Sequence, residues 1–202
     1  MLNLSNEKYK ILAEDIYLRP PSLLDYNKWR LIREESRNFL TPWEPTWQRG
    51  EHTLKRYIRL ITIYSRRRRS DSQYSFFIFD KNDQLLGGIN VFNIKRGISQ
   101  SCTIGYWIGK KYSNKGYMTK ALSILIVYLF NQYRINRIEA ACLPINNASI
   151  KLLLRLGFSE EGYATDYLRI NGRWEDHLLF AITKKKYDLD KIRKTKLVKP
   201  IK

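Results

Sequence analysis

Two stretches of the chain carry residue types that could do chemistry. In residues 110–119 (KKYSNKGYMT), Gly116 sits where an apolar strand pattern gives way to an amphipathic helix. A helix N-terminus offers backbone N–H groups without intrahelical acceptors and about half a positive charge. Together these bind a phosphate or diphosphate. At Gly116 the main chain can approach such a group where a Cβ would clash, and Lys110, Lys111 and Lys115 add positive charge. A strand-to-helix turn with one glycine is common in its own right. The loop is neither GxGxxG nor a Walker loop, so NAD and ATP are not supported. The second stretch, residues 144–149 (PINNAS), places Asn146 and Ser149 at the start of another helix. Helix capping by itself accounts for both. His52, His177, Cys102 and Cys142 lack metal-ligand spacing, so no metal site is expected.

The elements that would position these stretches follow from periodicity and turn chemistry. Residues 11–19 read as a strand ended by Pro20 and Pro21. Residues 23–37 and 51–64 read as amphipathic helices on either side of an aromatic loop, residues 39–47, fixed by Pro42 and Pro45. Three strands follow, at 74–79, 85–94 and 102–109, with Gly87 and Gly88 marking a bulge or a close backbone approach. A helix to about residue 131 carries its core stripe on Met118, Ala121, Leu122, Leu125 and Leu129. A fifth strand spans 137–143. A helix over 147–156 follows, with Gly157 as its left-handed stop. A hairpin turning at Asn171-Gly172 closes the pattern, a type I′ signal. This is a mixed α/β single domain over residues 10–183, with a basic tail over 184–202 expected to be disordered.

Charge narrows the partners. Lys and Arg number 37 against 19 Asp and Glu, a formal net charge of +18. The tail holds nine basic and two acidic residues, and Arg66 to Arg69 form a second concentration. Such a balance favours a polyanion (RNA, the ribosome, anionic lipid) or a phosphate-bearing cofactor. Solvated surface faces explain it equally well. No apolar run of membrane-spanning length and no apolar leader core is present, and two cysteines read as reduced thiols, so a cytoplasmic protein without a membrane partner is expected.

Taken together, the two stretches resemble the GNAT N-acetyltransferase superfamily, and within it the branch that acetylates ribosomal-protein N-termini (RimJ/RimL-like). Ile104, Gly105, Tyr106, Trp107 and Ile108, then residues 112–122 (YSNKGYMTKAL), look like the family's acetyl-CoA segment. Pro144, Asn146, Ala148 and Ser149 follow, then Leu153, Gly157, Phe158, Glu161 and Gly162. Outside that segment, residues 18–20 (LRP), 39–45 (FLTPWEP) and 167–177 (YLRINGRWEDH) look like the alanine-specific branch. The match is collinear from about residue 10 to 183. The loop departs from the usual Gln/Arg-x-x-Gly-x-Gly/Ala: Ser113 and Met118 hold its outer positions, Asn114 replaces a frequent glycine, and only Gly116 agrees. Because such loops hold phosphate through the main chain, loop shape matters more than side-chain identity.

The resemblance implies a central, mostly antiparallel mixed sheet flanked by helices, its fourth and fifth strands splayed apart. It implies acetyl-CoA as co-substrate, with backbone groups of Tyr106, Trp107 and Ile108 pairing with the pantetheine arm. Ser113, Asn114, Lys115, Gly116, Tyr117, Met118 and Thr119 would form the diphosphate loop. Asn146 would orient cofactor or water, and Ser149 would protonate the leaving thiolate. The related branch uses a glutamate as base where this chain has Leu168. Glu44 is the substitute, or else a structural or substrate-recognition carboxylate, and Asp176 is a weaker candidate. An N-terminal amine, with a pKa of about 7.7–8.0, is partly neutral near pH 7, whereas a lysine at about 10.4 is not. That fits the N-terminus of a ribosomal protein beginning with Ala or Ser as acceptor. Two rival readings stand beside it: a small amine (aminoglycoside, polyamine or amino acid) as acceptor, and a non-catalytic ribosome- or RNA-binding module.

Overall fold

A computed structural model describes residues 9–187. The run Tyr74–Asp80 (β3) is apolar on both faces, and it lies where both faces are covered. On one side it meets Trp29, Ile32 and Tyr57 from α1 (Tyr26–Glu35) and α3 (Leu54–Arg69). On the other side lies a larger core built on α4 (Tyr117–Asn131) and Leu153 of α5 (Asn147–Arg155). The expected stripe of α4 is buried at every position named above.

Eight strands form one sheet in the order β1-β2-β3-β4-β5-β6-β8-β7. Beside β3 are β4 (Leu85–Lys95), β5 (Ser101–Ile108), β6 (Arg137–Cys142), β7 (Ser159–Ile170) and β8 (Arg173–Thr183). The mixed α/β class therefore holds, with seven expected strands becoming eight. The single strand expected over 11–19 is broken at residues 13–15 into β1 (Ile11–Leu12) and β2 (Ile16–Arg19), which pair with each other. The polar pair Glu14 and Asp15 lies in the turn, and Asp15 reaches out to the Lys120 ammonium. The helix expected over 23–37 opens as a 3-10 turn, Leu23–Asp25. It breaks at Ser36 before a short α2 (Arg37–Leu40). The helix expected over 51–64 starts later, at Leu54, and runs on through Arg66 to Arg69. Arginine is a good helix former, and neither Gly nor Pro interrupts before Ser70.

The expected opening lies between β5 and β6, the one parallel pair. It is paired only at Ser101, Cys102 and Thr103 with Arg137, Ile138 and Glu139. Beyond Thr103, β5 pairs only with β4, while β6 continues against β8. The two strands part and leave one edge of Tyr106, Trp107 and Ile108 unpaired. On its other side this end of β5 lies close against Gly87 and Gly88 of β4. A Cβ on Gly87 would lie 2.3 Å from the Trp107 carbonyl oxygen, and one on Gly88 would lie 2.7 Å from the Trp107 indole nitrogen. Both parts of the expectation for this pair are met, because the β3–β4 register also shifts here, between Ile78 and Phe79.

Asn171 and Gly172 both have positive φ, as a type I′ turn requires. Lys184 to Tyr187, counted with the tail in the sequence reading, fold against the domain. The Lys184 N–H donates to the Asn136 carbonyl at 2.9 Å, and Tyr187 packs on Phe130. The rest of the tail lies outside the described residues. No helix among the described residues is long and apolar enough to cross a membrane.

Candidate active site

The loop between β5 and α4 is held at its base. Gly109 N–H donates to the Leu86 carbonyl, and Lys110 N–H to the Ser36 hydroxyl, each at 2.9 Å. A 3-10 turn, Lys110–Tyr112, then leads to Asn114 and Gly116, both with positive φ (58° and 81°). At 81° Gly116 is the residue that caps α4 without strain. A Cβ there would find no protein atom within 4 Å. The space above this glycine is open, as a phosphate would need. From Asn114 to Thr119, no backbone N–H has an acceptor among the described residues. Unsatisfied donors in a row at the positive end of a 15-residue helix make an anion cradle. The shape fits a diphosphate although Ser113 and Met118 depart from the usual pattern.

Across the splay, Asn146 caps α5 by accepting from the Ser149 N–H at 3.1 Å. The cap fixes Ser149, whose hydroxyl lies 2.6 Å from the Tyr106 phenol. Burial pushes the Tyr106 phenol up, and the Ser149 bond opposes the shift only in part. Burial also raises the Cys142 thiol, and Ser149 again opposes it. Ser149 thus stands among neutral, protonated partners and can pass a proton outward. The capping explanation and the catalytic one are compatible, since the cap is what aims the hydroxyl.

A cavity of about 880 Å³ joins these features to the other face of the sheet. Its wall includes Tyr106, Trp107, Ile108, Ser113, Asn114, Gly116, Tyr117, Met118, Thr119, Asn146, Ser149 and Glu44. Of the residues expected in the diphosphate loop, Lys115 alone is absent from it. Leu168 is on the wall. Asp176 is not: its carboxylate accepts from Tyr163 OH at 2.5 Å and from Asp166 N–H at 2.9 Å on the open surface.

At the far end of the cavity the aromatic loop has a framework that the sequence did not reveal. Arg33 donates both terminal nitrogens to Glu44, at 2.7 and 2.5 Å, and Trp47 donates to the same carboxylate at 2.8 Å. The Arg33 guanidinium lies over both the Trp47 ring (4.5 Å) and the Trp107 ring (5.0 Å). The Glu44 carbonyl accepts from Asn171 N–H, tying the loop to the β7–β8 turn. Glu44 thus has both oxygens engaged. Sequence reasoning missed Arg33, Tyr64, Asn90, Lys151, His52 and His177 on this wall. The spacing of the two histidines speaks only to metal ligation. A single histidine in an alternating strand carries no further signal, and only the topology shows which face it lines. Among the described residues, no group of three or more His, Cys, Asp or Glu could hold a metal.

Comparison with known proteins agrees with this architecture. The acetyltransferase (GNAT) domain family matches residues 15–159. The [ribosomal protein uS5]-alanine N-acetyltransferase of Escherichia coli (strain K12) is 38% identical over 162 residues, 79% of this chain and 84% of that protein. The structure of a ribosomal-protein-S5-alanine acetyltransferase from Vibrio fischeri superposes with a TM-score of 0.81 at 29% identity, covering 89% of this chain and 98% of that one. Mycobacterium smegmatis RimJ in complex with CoA-disulfide superposes with a TM-score of 0.86 at 26% identity, covering 94% and 96%. With the splayed sheet and the anion cradle already in place, the chain belongs to the GNAT family and is an acetyl-CoA-dependent N-acetyltransferase.

Proposed function

We propose that this enzyme acetylates the N-terminal α-amine of a ribosomal protein beginning with Ala or Ser, in the cytoplasm. The observation that carries the proposal is the single cavity running from the anion cradle, through the splay, to the wall built on Arg33, Glu44 and the tryptophans. The E. coli relative is named for an alanine of ribosomal protein uS5, and the aromatic loop and β7–β8 turn by which this chain resembles that branch form the acceptor end.

In this proposal the amides of residues 115–119 hold the diphosphate of acetyl-CoA, and the free edge of Tyr106, Trp107 and Ile108 holds its pantetheine arm. When bound, acetyl-CoA supplies an activated acyl group whose sulfur can leave as a thiolate. Ser149 donates its hydroxyl proton to that sulfur, and Tyr106 restores the proton. Asn146 aims Ser149 through the cap. Glu44, locked to Arg33 and Trp47, shapes the acceptor wall. Mass spectrometry of ribosomal-protein N-termini from cells with and without the gene is the direct test. Loss of acetyl from one Ala- or Ser-starting protein is expected, and an unchanged set would overturn the acceptor assignment.

The basic surface supports a ribosome or RNA contact in addition to the site. Lys55, Arg59, Arg66 and Arg69 are exposed along α3. Removing residues 188–202 keeps the packed Tyr187. Activity on a short peptide is expected to survive, while ribosome affinity falls and its salt dependence flattens. Unchanged affinity would remove the tail from recognition.

A further inference from the structure

We infer that the Nε2 atom of His177 takes the proton from the acceptor's ammonium group, making His177 the general base of the transfer. This rests on the proposed amine acetylation and names a residue that nothing above places in the chemistry. His177 is only 3% exposed, yet it lies on the cavity wall. Along β8 it alternates with Leu178, Phe180 and Ile182, which pack into the core on the α4–α5 side. It therefore lines the opposite face, the side of Arg33, Glu44 and Trp107. It also stands one residue beyond Leu178, the partner of Cys142, where β6 ends.

The ring is held in one tautomer. His177 Nδ1 lies 2.9 Å from the Glu175 carbonyl oxygen. A carbonyl only accepts, so Nδ1 carries the hydrogen, and the lone pair of the neutral ring is on Nε2. Nε2 has no hydrogen-bond partner among the described residues, and it is not among the buried side-chain atoms sealed from solvent without a partner. His52 differs on this point: its own Nε2 is both unpartnered and sealed, wedged between the rings of Trp29 and Trp47. His177 alone of the two combines an uncommitted basic nitrogen with access.

The neighbouring carboxylates have other partners: Glu51, also on the cavity wall, accepts from the Gln48 N–H and from Arg56. Glu44 would have to leave the Arg33 fork and the Trp47 indole to accept a proton, and Asp176 is bonded away from the cavity. The Tyr167 ring faces His177, its centroid 5.7 Å away, while Asp176, next in the chain, is turned to Tyr163 and Asp166. Across the cavity stand the Arg33–Glu44 pair and the neutral Tyr106 phenol.

The proton count closes. An N–H proton of the ammonium passes to Nε2, and the freed pair forms the C–N bond. The C–S bond breaks with its pair on sulfur, and sulfur takes the Ser149 proton. The second proton lost by nitrogen replaces that one through Tyr106. The imidazolium returns its proton to water, the one proton released overall.

The test uses the full chain with acetyl-CoA and an Ala-starting peptide, read by thiol release. His177→Asn keeps a donor for the Glu175 carbonyl and removes the base. A fall in kcat of about a hundredfold is expected, with acetyl-CoA affinity by calorimetry unchanged within twofold. The acid limb of the kcat/KM profile should be displaced. In His177→Ala, added imidazole should restore turnover, with substituted imidazoles ranking by basicity. A kcat within threefold of wild type in His177→Asn, or a loss that no imidazole restores and no pH change alters, would overturn the assignment. If the wild-type chain turns over only a small amine, the peptide-acceptor proposal fails, and the same variants are compared on that amine.

Discussion

The two ends of the cavity are built from different materials. The anion cradle is main chain: positive φ at Asn114 and Gly116, and a row of unaccepted N–H groups at the head of α4. The other end is side chain: the Arg33–Glu44 fork, the Trp47 indole and the histidines, drawn from α1, the aromatic loop, the turn before α3 and β8. The first kind of site is local in sequence and tolerant of residue type. The second is assembled over the whole chain, and each member depends on its partners. Mutations should therefore act oppositely at the two ends, with conformation decisive at one and chemical identity at the other.

Ser149 lies where the two ends meet, and its loss should have the largest effect. Ser149→Ala is expected to lower kcat by about a hundredfold, in the range of general acid catalysis, with little change in acetyl-CoA affinity. The backbone N–H of residue 149 still donates to Asn146, so the cap survives. Steady-state kinetics beside calorimetry would check this, and unaltered turnover would remove Ser149 from the mechanism. Next comes Gly116→Val. A β-branched residue at φ 81° is strained, and its side chain fills the open space above the loop. A rise in the acetyl-CoA Kd of about tenfold or more is expected. An unaffected Kd would mean that the diphosphate lies elsewhere.

Arg33→Met tests the side-chain end. Both partners are largely buried, with side chains 11% and 18% exposed, so the variant leaves the Glu44 carboxylate without its guanidinium. Removing one partner of a fully buried pair costs about 3–5 kcal/mol; partial exposure here lowers the expectation to about 2 kcal/mol. Denaturant unfolding would measure that loss. The KM for peptide should rise severalfold while acetyl-CoA affinity holds. A change in acetyl-CoA affinity as large as that for peptide would show that the two ends are not separable.

The same contrast explains what could be read from the sequence. Gly116, the helix behind it and the Asn146–Ser149 spacing are short-range features, and each landed where its local chemistry put it. The pairing of Ser149 with Tyr106, 43 residues apart, left no trace in either local pattern. The resemblance gives Tyr106 a backbone role only; its phenol is not legible in the sequence, because the splay, not the spacing, brings it to α5. Arg33 was hidden within an amphipathic helix pattern, and the Arg66–Arg69 run read as charge when it is also the last turn of α3. The division of the first strand turned on two acidic residues whose preference for a turn an apolar-run argument overlooks.

The smallest expected effect gives the sharpest comparison. Lys115 is the one residue expected in the cofactor loop whose side chain does not line the cavity. If the main chain holds the phosphates, Lys115→Ala removes only a long-range positive charge. An exposed charge of this kind is largely screened beyond a Debye length of about 8 Å at physiological salt. The acetyl-CoA Kd should rise by no more than about threefold, and the difference should vanish as salt is raised. A tenfold loss that persists at high salt would place the ammonium itself on the phosphate, and the cradle would then be a side-chain site like the acceptor wall.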